Sequence, residues 1–103
     1  MPQLKVDLQE GFAGELVILR LDGKELWRAS PTTRTQIGLA ETRTFEVRAT
    51  ADRALFEVEI PSRSVWSSYG FVPGHGELSV GVSVEESSGA VSFRASTGQF
   101  GYV

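Results

Sequence analysis

The sequence predicts an all-β domain. The expected architecture is an antiparallel β-sandwich of seven or eight strands, immunoglobulin-like or transthyretin-like in general shape, with a partly closed β-barrel as the alternative. Three observations carry this. Leu78, Val80, Val82 and Val84 interleave with Glu77, Ser79, Gly81 and Ser83. Successive strand side chains point to opposite faces, so such a run has one buried and one wet face. The pattern recurs at Leu4, Val6 and Leu8, at Phe45, Val47 and Ala49, at Phe56, Val58 and Ile60, and at Val91, Phe93 and Ala95. No segment sustains a helical period over a window of about eleven residues.

The elements follow in order. Residues 4–8 form the first strand, and residues 9–14, with Gly11 and Gly14, form a turn. Residues 16–21 are apolar on both faces, as expected of a central strand covered twice. Asp22-Gly23 then marks a two-residue hairpin. That turn sets Leu21 opposite Lys24, Arg20 opposite Glu25, Leu19 opposite Leu26 and Ile18 opposite Trp27. Pro31 has no N–H to donate, so the third strand breaks at residues 30–33. Residues 35–40 read as a short strand with Ile37 and Leu39 inward. Residues 43–49 follow as a strand with Thr44, Glu46 and Arg48 outward. Residues 50–53 turn the chain. Residues 54–60 are a strand with Glu57 and Glu59 outward, closed by Pro61.

Residues 62–76 break the rhythm. They hold either a hidden strand, with Val65, Ser67, Tyr69 and Phe71 on one side, or a functional loop. Residues 77–85 and 90–96 form the last hairpin, around Glu86, Ser87, Ser88 and Gly89. Phe100, Gly101, Tyr102 and Val103 are too apolar for a solvated tail and are expected to pack back on the domain.

At 103 residues the chain reads as one domain. Cysteine is absent, which removes disulfides, thiolate metal sites, a cysteine nucleophile and an antibody-type Cys…Trp…Cys core. The start of the chain enters a strand pattern at once, with no charged and apolar leader. No apolar run approaches the roughly 20 residues of a membrane span. A cytoplasmic protein is expected, with a mature exported domain as the alternative, and no membrane partner. The net charge is −3, with acidic and basic residues interspersed, so no nucleic-acid footprint is visible. Eight of the ten basic residues are arginine, which suits paired and planar contacts better than lysine does.

Catalytic and metal motifs are missing. His75, between Gly74 and Gly76, is the only histidine and lacks the companions of a metal site or an oriented base. Glu57 and Glu59 share one strand face but read as a solvated exterior. The serines lack a Gly-x-Ser-x-Gly elbow. Asp22 is a turn residue outside any calcium-loop pattern. No cofactor and no enzymatic activity are expected. The remaining candidates are aromatic. Trp66, Tyr69 and Phe71, with Trp27 and near His75, could stack against sugar rings, which have apolar faces and hydrogen-bonding rims. The competing reading is that these rings are core.

The expected function is a non-catalytic binding or assembly module, with a protein partner or self-association. A carbohydrate- or small-ligand-binding module is the alternative, with Trp66, Tyr69, Phe71 and His75 as the ligand-binding residues. Self-association has a specific route: residues 77–85 hold no Lys, Arg or Pro to discourage pairing if they form an edge strand. A third reading rests on likeness. Ser30-Pro31-Thr32-Thr33, Gly74-His75-Gly76-Glu77 and Phe93-Arg94-Ala95-Ser96 are loosely similar, in order, to the three loop motifs of chagasin-like cysteine-protease inhibitors. The likeness implies a small sandwich that plugs a protease cleft with adjacent loops. It covers a dozen residues. The first motif lacks the family's Asn and Gly, the third falls in a predicted strand, and the chain is not assigned to that family.

Overall fold

A computed structural model describes residues 3–34, 38–47, 53–71, 77–85 and 88–96. Eight strands run through these residues: β1 (Gln3–Leu8), β2 (Val17–Leu21), β3 (Lys24–Ala29), β4 (Glu41–Glu46), β5 (Ala54–Ile60), β6 (Val65–Phe71), β7 (Glu77–Val84) and β8 (Val91–Ser96). They make two four-stranded sheets, ordered β4-β1-β7-β8 and β3-β2-β5-β6. The two sheets are separate and do not close into a barrel.

The first sheet is mixed, which corrects the expectation of a purely antiparallel sandwich. β1 pairs antiparallel with β4 but parallel with β7, Gln3 lying opposite Glu77 and Leu8 opposite Val82. Alternation along a strand reports which face is buried and carries no information about the direction of the neighbour.

The core lies between the sheets. Leu4, Val6, Leu8, Val80, Val82 and Val84 face Val17, Leu19, Phe56, Val58 and Ile60. Both side openings are closed by contacts across the gap. On one side Tyr69 of β6 lies 5.7 Å from Phe93 of β8, ring to ring. On the other the Arg43 guanidinium of β4 sits 5.9 Å from the Trp27 ring of β3.

The Asp22-Gly23 turn forms as expected, with both residues at positive φ (50° and 82°). Leu21 faces Lys24 and Arg20 faces Glu25. Beyond them a bulge between Leu19 and Arg20 shifts the register, so Leu19 faces Trp27 and Ile18 faces Arg28. The extra residue turns the bulky Trp27 toward the core, where Leu26 would otherwise have pointed.

Other expectations need correction. Among the described residues no strand runs through 35–40. Arg34 and Leu39 make an isolated bridge, and Gly38, at φ 67°, donates its N–H to the Arg34 carbonyl at 2.8 Å. Residues 35–37, with Ile37, lie outside the described residues. The β4 strand begins at Glu41, two residues before its expected start, because β1 pairs with it from Leu8 onward. Residues 9–14 are a pinned crossing between the sheets, more than a turn. Gln9 donates to the Val82 carbonyl at 2.7 Å, Ala13 bridges Thr32, and Gly11 is packed so tightly that a Cβ would lie 1.8 Å from the Val84 carbonyl oxygen.

Residues 62–76 contain the hidden strand. Pro61–Arg63 form one 3-10 turn, and β6 follows with Ser64 at φ 53° between them. The β7 strand is central, paired on both sides, so it is no edge and the expected route to a homodimer through it is absent. Its lack of Lys, Arg and Pro reflects this position. Ser79 on its outer side is only 1% exposed, and the Gln9 side chain fills the space above Gly81. The C-terminal Phe100 to Val103 lie outside the described residues.

Candidate functional site

The outer face of the β3-β2-β5-β6 sheet carries the most distinctive arrangement. Cross-strand register puts two rows side by side. Glu25, Arg20, Glu57 and Ser68 form one; Arg28, Ile18, Glu59 and Trp66 form the next. Alternation delivers these residues outward while Leu19, Phe56, Val58 and Tyr69 go to the core. A groove of about 360 Å³ lies there, lined by Arg20, Gly23, Glu57, Glu59 and Trp66. That volume falls in the roughly 300–1,000 Å³ range of ligand pockets.

The charges within the groove are unevenly matched. Arg20 Nη1 donates to Glu59 Oε1 at 2.7 Å, choosing the diagonal carboxylate over Glu57, its direct cross-strand neighbour. None of the hydrogen bonds or ion pairs among the described residues includes the Glu57 carboxylate, although Glu57 is only 6% exposed. This corrects the expectation of a solvated Glu57: on an inner strand, flanked by β2 and β6, an outward side chain is covered by its neighbours. Beside the groove, Arg28 Nε donates to both Glu25 oxygens at 3.1 Å, and its Nη2 also reaches Oε1. Hydrogen bonding from Arg28 holds the Glu25 carboxyl below the usual carboxylate range, and the same bond raises Arg28.

The aromatic candidates divide between two faces. Trp66 stands outward and is 68% exposed. Tyr69 and Phe71 turn inward, their rings stacked 6.4 Å apart, and pack against the core with Phe93. Positions 66 and 69 differ by an odd number, so a strand cannot present both on one side. Trp27 lies at the far edge of the sheet, on the core side. His75 lies outside the described residues. Of the inhibitor-like motifs, Phe93 to Ser96 fall within β8 with Phe93 facing the core. Gly74 to Gly76 lie outside the described residues.

Arg20 and the two glutamates were not read from the sequence as partners of Trp66. Half of the signal is in the sequence: Glu57 and Glu59 alternate outward on their strand, but the pairing of β5 with β2 that sets them beside Arg20 is long-range.

Elsewhere, Arg63 Nε donates to Glu15 Oε2 at 2.5 Å and Ser62 Oγ reaches the same oxygen at 3.3 Å, fastening the 3-10 turn to the start of β2. A second cleft, about 560 Å³, opens beside Phe12, Thr33 and Val84. Glu10, Thr32 and Glu85 also line it, and Thr33 is committed to the fold: Thr33 Oγ1 accepts from Phe12 N–H at 3.0 Å and donates to the Gln9 carbonyl at 2.7 Å. Among the described residues no group of three or more His, Cys, Asp or Glu could hold a metal ion. No helix among them is long and apolar enough to cross a membrane. No protein-family model matches the chain, and neither a curated protein nor a solved structure matches it.

Proposed function

We propose that this domain is a non-catalytic binding module whose ligand rests on the outer face of the β3-β2-β5-β6 sheet. The supporting observation is Trp66, a large indole left 68% exposed over a groove with charged walls. Exposing so much aromatic surface forgoes the stabilisation that burial would give. Tryptophan is also the residue type most enriched where binding energy concentrates at interfaces. The general shape, immunoglobulin-like or transthyretin-like in outline, agrees by analogy, since sandwiches of this kind commonly display binding surfaces on a rigid frame.

The test is a fragment and peptide screen read by two-dimensional NMR on the ¹⁵N-labelled protein. Ligands should move the Trp66 indole N–H together with amides of Arg20, Glu57 and Glu59. Trp66→Ala should abolish those responses while the remaining spectrum stays folded. Hits gathered instead at the cleft beside Phe12 would place the site on the other side of the molecule and sink this reading.

A further inference from the structure

We infer that the groove takes the guanidinium group of an arginine side chain carried by a partner polypeptide. The inference rests on the binding-module reading and names its ligand. Three features of the groove converge on it.

The first is charge. One cation, Arg20, faces two carboxylates, Glu57 and Glu59, and is hydrogen-bonded to Glu59. The Glu25–Arg28 pair alongside neutralises itself. Glu57, a residue only 6% exposed, lines the groove with no hydrogen-bonded cation among the described residues, its carboxylate oxygens still open to the groove. An incoming cation with N–H donors would supply the partner that this carboxylate lacks. An anionic ligand would add to the imbalance.

The second is the pairing of carboxylate with indole. Trp66 is directly opposite Glu59 and diagonal to Glu57 across the β5–β6 ladder. An aromatic face attracts a cation. A guanidinium is planar, so it can stack on the indole while its N–H fork meets a carboxylate edge-on. An ammonium is more strongly hydrated and lacks that fork. A neutral sugar could stack but would leave Glu57 without a counter-charge.

The third is the edge. β6 is the outer strand of its sheet, and no strand among the described residues pairs with its free side. An extended segment laid along β6 would find backbone partners there and direct alternate side chains onto the outer face, toward Trp66 and the groove. A polypeptide therefore fits better than a free small cation.

The experiment uses the full chain and four probes: the N-acetyl methylamides of arginine, lysine and citrulline, and spermidine. Citrulline has the shape of arginine without its charge. Binding is read from the Trp66 indole N–H and the Glu57 amide. The arginine probe should bind with a millimolar dissociation constant, and lysine and citrulline should bind about tenfold more weakly or not at all. Glu57→Gln, which keeps the shape of the side chain, should weaken the arginine probe by about tenfold. Trp66→Leu, at an exposed position that the fold does not need, should do the same when read at Glu57. Equal binding of citrulline, or undiminished binding to folded Glu57→Gln, overturns the inference. Tighter binding of spermidine than of the arginine probe overturns the polypeptide source. If neutral fragments move Trp66 while the arginine probe does not, the binding face stands and the arginine assignment falls. If every ligand binds away from Trp66, both fall.

Discussion

Asp22 and Leu55 exchange two hydrogen bonds: the Asp22 N–H donates to the Leu55 carbonyl at 2.9 Å, and Asp22 Oδ1 accepts the Leu55 N–H at 2.9 Å. One carboxylate thus serves the β2–β3 turn and fastens it to the start of β5. Asp22 also sits at φ 50°, where Asp is tolerated better than most non-glycine residues. Asp22→Ala loses the acceptor and the tolerance together and should cost about 1–3 kcal/mol in urea unfolding. Asp22→Asn keeps both and should cost less than half as much. Equal losses in the two variants would mean that the side-chain acceptor is irrelevant.

Gly11 should resist any side chain. It has φ 88°, and an added Cβ would meet the backbone of Val84. Backbone cannot swing aside as a flexible side chain can. Gly11→Ala should therefore destabilise by about 3 kcal/mol or more, while Gly23→Ala, which meets no neighbour within 4 Å, should show only the smaller cost of its positive φ. Comparable melting temperatures for the two variants would contradict the tight crossing.

The core and the covered exterior should respond differently to truncation. Leu19→Ala, Phe56→Ala and Val80→Ala remove fully buried apolar groups and should each cost roughly 1–5 kcal/mol. Ser79→Ala, though equally buried, should be neutral or slightly stabilising, because its hydroxyl has no hydrogen-bond partner among the described residues. A loss of about 1 kcal/mol or more at Ser79 would show that its hydroxyl is engaged after all.

Glu57→Gln tests the groove from the side of stability. Removing a charge that has no hydrogen-bonded partner among the described residues should leave the free energy of unfolding unchanged or raise it by up to about 1 kcal/mol. Glu59→Gln removes the charge that pairs with Arg20 while keeping an acceptor, and should lower it slightly. A clear destabilisation by Glu57→Gln would mean that Arg20 supports both glutamates.

The Glu25–Arg28 pair sets a pH dependence. The folded-state value of Glu25 is lowered, first by the hydrogen bond from Arg28. Its contribution to stability is therefore present above the unfolded-state value and lost as pH falls through the lowered folded-state value. Both groups are at the surface, so the effect on stability is small and shrinks with salt. The Glu25 carboxyl carbon, followed by NMR, should titrate at lower pH than in Arg28→Gln. Identical midpoints would remove the pair as the cause.

Much of the architecture was legible because strand alternation is local physics. The β5 strand was bounded at Ala54 and Ile60 by its inward apolar residues and by Pro61. The Asp22-Gly23 turn followed from the need for positive φ at both positions. What could not be read was long-range. Nothing in Leu4, Val6 and Leu8 says that β7 lies parallel beside them. Nor does alternation distinguish an outward residue in water from one covered by its neighbours, and so Glu57 and Ser79 were misjudged in the same way. The bulge at Leu19/Arg20 depends on where Trp27 fits in the assembled core. At the candidate site Trp66 was visible, but it was grouped with Tyr69 and Phe71 by nearness along the chain. Their positions on β6 assign them to opposite faces.

The parallel contact between β1 and β7 bears on how the domain assembles in time. The β3-β2-β5-β6 sheet needs only residues from Val17 to Phe71 and is built from two tight antiparallel pairs, β2–β3 and β5–β6, joined by β2–β5. The other sheet cannot close until β7 has emerged from the ribosome, because β1 takes its second neighbour from there. Until then Leu4, Val6 and Leu8 have β4 alone beside them in their sheet. Pairing across so long a stretch of chain is entropically slow, and chains dominated by such contacts fold on the order of milliseconds to seconds. The rate-limiting event should therefore be the docking of the late-arriving β7 against β1, and a nascent chain paused before residue 77 should bind a chaperone through the uncovered side of β1.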